Sequence, residues 1–235
     1  MGFVDLHSHV LPGLDDGVRS AEEAKELCGL LADMGFDTVC ATPHQKVGSF
    51  VPTREQIDLA YVETKQATAE RLSLLLGAEN FWDELFLSRT PKGEEPTYTG
   101  ARAFLFEVHT QQLPPRFEEA LFQLQLKGRL PVMAHPERYA PFWHARERLA
   151  AIGRSTALVV DLGALSGAHG RQQAVSAKWL VESGVAHAVA TDVHSVADAK
   201  VAAAGMAWIE KQLGADALTR LLDENPRHIL EGNLP

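Results

Sequence analysis

Two signatures alternate along the chain: short, almost wholly apolar runs, and longer segments with apolar residues every third or fourth position. The apolar runs lie near 3–6, 38–42, 72–76, 103–107, 131–134, 157–161 and 187–191. Strands buried on both faces of a parallel sheet read this way, whereas half-exposed antiparallel strands alternate. Helical periodicity first appears near Ser20, with Glu22 and Glu23 in the opening turn, Leu27, Leu30, Leu31 and Met34 on one face, and Gly35 as the stop. Further helices are predicted over 53–71, 117–127, 145–152, 172–182, 197–213, 215–223 and 226–231. Seven strands with intervening helices predict an α/β fold, a parallel β/α barrel one unit short of eight. No repeat, low-complexity tract or linker interrupts it, so residues 1–235 read as a single domain. The irregular stretches 45–52, 88–100 and 162–171 are candidate rim loops.

The apolar runs end in a particular chemistry. His7 and His9 follow the first run, with Asp16 shortly after, and His44 follows the second. Glu79, Glu107 and His135 follow later runs, and the last ends in Asp192-Val193-His194. Strand-end side chains of a β/α barrel converge at one mouth, where such folds keep their chemistry. Two His one residue apart just past a strand project to the same side and can share one metal. Imidazole and carboxylate without thiolate suit Zn, Mn or Fe. Asp16, Glu79, Glu107 and Asp192 cannot all stay ionised in one small volume without cations. Roughly three divalent ions would leave the cluster roughly two positive, which attracts a dianionic phosphate ester and lowers the pKa of a bound water to give hydroxide.

Composition narrows the setting. With 235 residues and 46% hydrophobic content, the chain can bury a full core. A net charge of −9 and a pI near 5.6 argue against a nucleic-acid surface, which needs clustered Lys and Arg. No run of roughly eighteen apolar residues is present, so no membrane-spanning helix is expected. The opening Met1-Gly2-Phe3-Val4-Asp5 enters the first strand directly, so no signal peptide is expected. Cys28 and Cys40 lie in apolar periodic segments, which predicts free thiols and a reducing cytoplasm. Neither is a nucleophile of the cysteine-phosphatase kind. Such enzymes place an Arg at a fixed short distance after the Cys, where Cys28 meets Met34 and Cys40 meets Lys46.

The segment from Asp5 to Gly17, with His7, His9, Asp15 and Asp16 inside it, resembles the opening motif of the polymerase-and-histidinol-phosphatase (PHP) superfamily. Within that superfamily the chain is similar to bacterial protein-tyrosine phosphatases of capsule and exopolysaccharide biosynthesis. The likeness continues through Ala41-Thr42-Pro43-His44, Gly77-Ala78-Glu79, Phe106-Glu107, Ala134 to Tyr139, Leu165-Ser166-Gly167, Ala190 to His194 and Glu224 to Leu230, covering essentially the whole chain in order. The resemblance implies a distorted seven-stranded parallel β/α barrel and a site for three divalent ions, commonly manganese or iron. Carried over residue by residue, the metal ligands are His7, His9, Asp16, His44, Glu79, Glu107, His135, Asp192 and His194, with Asp16 chosen over Asp15 on the family pattern. Arg138 matches the family's phosphate-binding Arg, and its guanidinium fork suits that task.

Two departures stand out. Gln45 and Lys46 follow His44 where relatives often carry basic residues, and only Lys200 is available where some relatives place an Arg after Asp-x-His. A Lys lacks the bidentate fork. Phosphate binding is therefore expected to fall mainly on Arg138, with Lys46 and Lys200 secondary, and Arg138, Asp192 and His194 are the residues expected to carry catalysis. His109 is weighed as a possible substrate contact, His144, His169, His187 and His228 read as surface or helix-end residues, and Trp82 and Tyr139 as loop packing. The expected activity is hydrolysis of phosphotyrosine on proteins, with the tail of a bacterial tyrosine kinase as the partner that the resemblance implies. A small-molecule phosphatase, such as one for histidinol phosphate, is the alternative. A phosphodiesterase or a metal-binding module follows behind it.

Overall fold

The computed structural model of the protein describes residues 2–235. Its strands are β1 (Phe3–Ser8), β2 (Phe36–Ala41), β3 (His44–Gln45), β4 (Ser73–Leu76), β5 (Glu79–Phe81), β6 (Ala103–Glu107), β7 (Leu130–Ala134), β8 (Ala157–Asp161) and β9 (Ala188–Ala190). All ladders between them are parallel. They form two sheets, ordered β1-β2-β4 and β3-β5-β6-β7-β8-β9.

All seven apolar runs are strands, but a single closed seven-stranded barrel is not what the hydrogen bonds draw. Two runs are each followed by a second short strand. β2 ends at Thr42-Pro43, where Pro43 has no N–H to give a ladder, and β3 begins at His44. β4 ends at Gly77-Ala78, where a Cβ on Gly77 would sit 3.0 Å from the Tyr98 ring, and β5 begins at Glu79. At each break the chain passes from one sheet to the other. On the opposite side β9 meets β1 through the single bridge Ser8–Val193, with the Asp192 amide donating to the His7 carbonyl at 2.9 Å. The buried Asp5 carboxylate adds to this seam, accepting from the Thr191 amide at 3.0 Å and from its hydroxyl. Periodicity locates strands well; it does not locate the seams.

Two layers of core follow from strand alternation. Val4, Leu6, Ala103, Leu105, Val132, Ala134, Ala157, Val159, Ala188 and Ala190 form an inner cluster. Phe104, Phe106, Met133, Leu158, Val160 and Val189 belong to a second cluster, with Leu27, Leu121, Leu149, Leu180 and Ile209 from the helices.

The predicted helices appear as Ala21–Asp33, Arg54–Thr68, Phe117–Leu126, Arg146–Gly153, Arg171–Glu182 and Val196–Leu213, and the last two as Ala215–Thr219 and Asn225–Leu230 joined by a π turn over Arg220–Glu224. Ser20 caps the first, its hydroxyl accepting from the Glu23 amide, and Thr53 forms a capping box with Gln56. Short helices also occupy Glu84–Arg89, Ala140–Trp143 and Leu162–Ser166. The last falls in the irregular stretch 162–171: Leu162, Gly163, Ala164 and Leu165 are all buried, which leaves no polar face to create a period. Among the described residues no helix is long and apolar enough to cross a membrane.

His187, expected at the surface, is only partly exposed. Its Nδ1 accepts from the Leu158 amide at 3.1 Å, and burial without a counter-charge pushes its pKa down to about 4. Protonation therefore favours the unfolded chain. The contribution of His187 is complete above its unfolded pKa of about 6.5 and is lost as pH falls through the folded value, a difference of about 2 kcal/mol between pH 7.5 and pH 5. Thermal unfolding in chelator at both pH values should show His187→Gln, which keeps an acceptor, losing less stability on acidification than the parent. Equal losses would remove His187 from the account.

Candidate metal centre

The strand ends reach the mouth by local devices that alternation alone would not supply. The β1–β2 register shifts between Asp5 and Ser8, which changes the facing of the residues that follow. His7 and His9 then converge, their Nε2 atoms 3.2 Å apart. Val132 and Ala134 face the inner cluster, so strict alternation would turn His135 away. Instead His135 has a left-handed φ of 34°, and its Nε2 lies 2.8 Å from Glu79 Oε1. Asp192 is also left-handed, at φ 49°. Arg116 is the one other non-glycine residue with positive φ among those described. Such backbone costs energy, and it persists where surrounding structure holds a functional group in place.

Glu79 stands at the middle. Its Oε2 lies 3.2 Å from His7 Nε2, 3.4 Å from His9 Nε2 and 2.9 Å from His44 Nδ1. Asp192 Oδ1 is 3.3 Å from His7 Nε2 and 3.5 Å from His9 Nε2. Glu107 Oε1 is 3.5 Å from His44 Nδ1. Asp16 Oδ1 lies 3.4 Å from His44 Nε2 and 3.5 Å from His194 Nε2, at the exposed edge. The His194 ring stacks on that of His9 with centroids 4.0 Å apart. All nine of these side chains thus gather in one cluster. They form four overlapping groups, His9-Asp16-His44-His194, His7-Glu79-His135, His7-His9-Asp192 and His44-Glu79-Glu107, each with candidate ligand atoms within 4.8 Å of one another.

The donor set fits divalent cations. His44 Nδ1, Glu107 Oε1 and Asp192 Oδ1 are buried without a hydrogen-bond partner, although each lies close to other candidate ligand atoms. Lone pairs crowded together and out of hydrogen-bonding alignment need a cation between them. Burial, and then the neighbouring Glu79, push the Glu107 carboxyl up to about 7. His44 and Lys46 pull the other way and offset this only in part. Burial alone would lower the His9 pKa, but Asp15, Asp192 and Glu79 hold it well above the usual imidazole value.

Residues beside the proposed ligands also shape the site. Asp15 is buried while Asp16 is half-exposed. Asp15 Oδ2 pairs with His9 Nδ1 at 2.7 Å and accepts from the His44 amide at 3.0 Å. Despite its burial, the His9 contact brings its pKa down to about 2. This is the carboxylate that orients a ligating imidazole from behind. Tyr139 is more than packing: its hydroxyl donates to the Ala134 carbonyl at 3.0 Å and lies 3.4 Å from His135 Nδ1. Trp82 does pack, edge-on to Phe106 and Phe117.

Arg138 is held from three sides. One terminal nitrogen donates to Asp161 Oδ2 at 2.5 Å and to Asp192 Oδ2 at 2.6 Å, and Glu137 lies 3.9 Å from its Nε. Burial works against its charge, but these carboxylates hold its pKa well above the ordinary value. Its other terminal nitrogen has no hydrogen-bond acceptor among the described residues. Asp161 closes β8, and its position at a strand end was the available signal for it. His169, expected at the surface, is partly exposed, with Nε2 2.6 Å from Asp161 Oδ2. Lys46 reaches the cluster, its Nζ 3.6 Å from Glu107 Oε1. Lys200 does not; it is exposed on the helix Val196–Leu213 and makes no ion pair among the described residues. His109 is exposed and outside the cluster, and His144 and His228 are exposed as expected.

Clusters of His, Asp and Glu at the strand ends of a parallel α/β fold are the hallmark of metal-dependent hydrolases. Residues 3–231 match the model of a family described as capsular polysaccharide synthesis, CpsB/CapC, and the chain belongs to that family. It is 26% identical over 250 residues to the tyrosine-protein phosphatase CpsB of Streptococcus pneumoniae, covering 99% of this chain and 100% of that protein. It is 28% identical over 237 residues to the tyrosine-protein phosphatase YwqE of Bacillus subtilis, covering 97% and 91%. A solved structure from work on YwqE and S. pneumoniae CpsB, described as unique metal-dependent tyrosine phosphatases, superposes with a TM-score of 0.87 at 26% identity, over 99% of this chain and 95% of that one.

Proposed function

We propose that the chain is a metal-dependent phosphomonoesterase acting on phosphotyrosine in proteins. The observation that carries this is the gathering of nine His, Asp and Glu side chains around orphaned buried lone pairs, with Arg138 beside them. The tyrosine assignment rests on the named relatives. We assign His7, His9, Asp16, His44, Glu79, Glu107, His135, Asp192 and His194 as ligands of three divalent ions, manganese or iron with zinc as alternative. Bound ions supply Lewis acidity at the phosphoryl oxygens and an activated water. Around them the chain positions groups. Asp15 holds the His9 ring, Tyr139 braces His135, and Asp161 with His169 fixes Arg138 so that its free nitrogen meets a phosphate oxygen. Lys46 adds a charge at the Glu107 edge. A tyrosine phenolate leaves readily, so no strong general acid is needed. We place this single-domain enzyme in the cytoplasm, with the tail of a tyrosine kinase of polysaccharide synthesis as its substrate.

A phosphotyrosine peptide, histidinol phosphate and a nucleotide diester compared side by side test this reading. Turnover should be fastest on the peptide, vanish with chelator and return with Mn²⁺. A Cys28→Ala/Cys40→Ala variant should keep most of it, since burial pushes the Cys28 thiol up to about 12 and the Cys40 thiol well above its ordinary value. Preference for histidinol phosphate, or activity that survives chelation, would overturn the proposal.

A further inference from the structure

On the reading that the site cleaves phosphotyrosine, we propose that Phe50, on the tight loop Lys46–Phe50, is the subsite for the aromatic ring of the substrate. The loop closes on itself. The Lys46 amide donates to the Phe50 carbonyl at 2.7 Å and the Phe50 amide to the Lys46 carbonyl at 2.9 Å, an isolated antiparallel bridge. Gly48, at φ +80°, takes the left-handed turn at the tip. Directly paired residues in such a bridge present their side chains on the same face.

That face is the metal mouth. The Phe50 ring lies over the His44 imidazole with centroids 5.5 Å apart and planes 13° from parallel. Lys46 Nζ sits 3.6 Å from Glu107 Oε1 and 4.2 Å from the centroid of the Phe81 ring. Phe50 itself remains partly exposed. An aromatic ring left partly open at the rim of a polar, cation-binding cluster suits a ligand that is apolar at one end and anionic at the other. Phosphotyrosine has that form. Its dianion faces the cluster and Lys46, and its ring meets the open part of Phe50 in the offset or edge-on contact that aromatic pairs prefer. An alkyl phosphate has no ring to place there.

The test separates a ring subsite from a mere shield over His44. Benzylphosphonate and methylphosphonate serve as non-hydrolysable aryl and alkyl probes, bound to the manganese-loaded protein in a calorimeter. Phosphotyrosine and phosphoserine peptides of one sequence supply kcat/KM. Phe50→Ala should weaken benzylphosphonate and lower kcat/KM for phosphotyrosine by about three- to tenfold, the size of one aromatic contact. Methylphosphonate affinity, the phosphoserine rate and metal content by elemental analysis should not change, and Phe50→Leu should fall between. Equal losses on the aryl and alkyl arms would overturn the proposal in favour of a shield, and no loss on either arm would overturn it outright. If the parent protein cleaves neither peptide while Phe50→Ala still selectively weakens benzylphosphonate, the subsite stands and the proposed reaction falls.

Discussion

Glu79→Gln should strip metal from the protein and lower turnover of a phosphotyrosine peptide by at least about a hundredfold. Glu79 is the carboxylate that touches the most imidazoles of the cluster: His7, His9 and His44 through Oε2, and His135 through Oε1. It belongs to two of the four overlapping groups. Burial opposes its charge, but His7 and His44 hold its pKa well below the carboxylate range, so it enters the site ionised. Glutamine preserves the shape and removes the charge. It also aims an N–H pair at imidazole nitrogens whose lone pairs are wanted for a cation. Asp16→Asn should lose less metal, because Asp16 is half-exposed and among the described residues pairs only with His44 and His194 at the rim. Elemental analysis of both variants, with the rise in Tm on adding Mn²⁺, reads the difference. A full metal complement in Glu79→Gln would break the ligand assignment.

Arg138→Ala should cost about a hundred- to thousandfold in kcat/KM, the range for losing a charged contact that strengthens in the transition state. Metal retention should fall as well. Arg138 donates to Asp192, so its removal frees a proposed ligand and leaves Asp161, Asp192 and the buried Glu137 without their shared cation. Arg138→Lys should recover charge compensation and metal but not full turnover, since one ammonium cannot replace the fork that leaves a nitrogen for phosphate. Lys200→Ala should cost about tenfold or less, as expected of an exposed, flexible point charge. Steady-state kinetics on one phosphotyrosine peptide, beside metal analysis, decides the matter. A silent Arg138→Ala next to a crippled Lys200→Ala would reverse the roles.

Much of the site was legible because strand ends are local features. Glu107 directly continues an apolar run, and His7, His44, Glu79, His135 and Asp192 each stand at or just past the end of one. What lay out of reach depended on neighbours distant in sequence. Asp15 and Asp16 are adjacent and chemically alike, yet one is buried behind His9 and the other faces the rim. Asp161 closes a strand as visibly as Glu107 does, but its partners are Arg138 and His169, which lie 23 residues before it and on the far side of a short buried helix. Phe50 carried no signal, since nothing local says that a rim loop will fold back onto His44.

The sequence by itself determined the α/β class, the order of strands and helices and the inventory of ligating groups, because burial on both strand faces and on one helix face is written in periods of two and 3.6 residues. Only the tertiary structure decided the rest. It added a short strand after two of the seven runs, past Pro43 and Gly77, and so drew two sheets in place of one ring. It turned His135 and Asp192 inward through left-handed backbone, and it set Arg138 between Asp161 and Asp192. Hydrogen-bond closure and side-chain direction at strand ends depend on which distant segments arrive alongside, and that information exists only once the chain has folded.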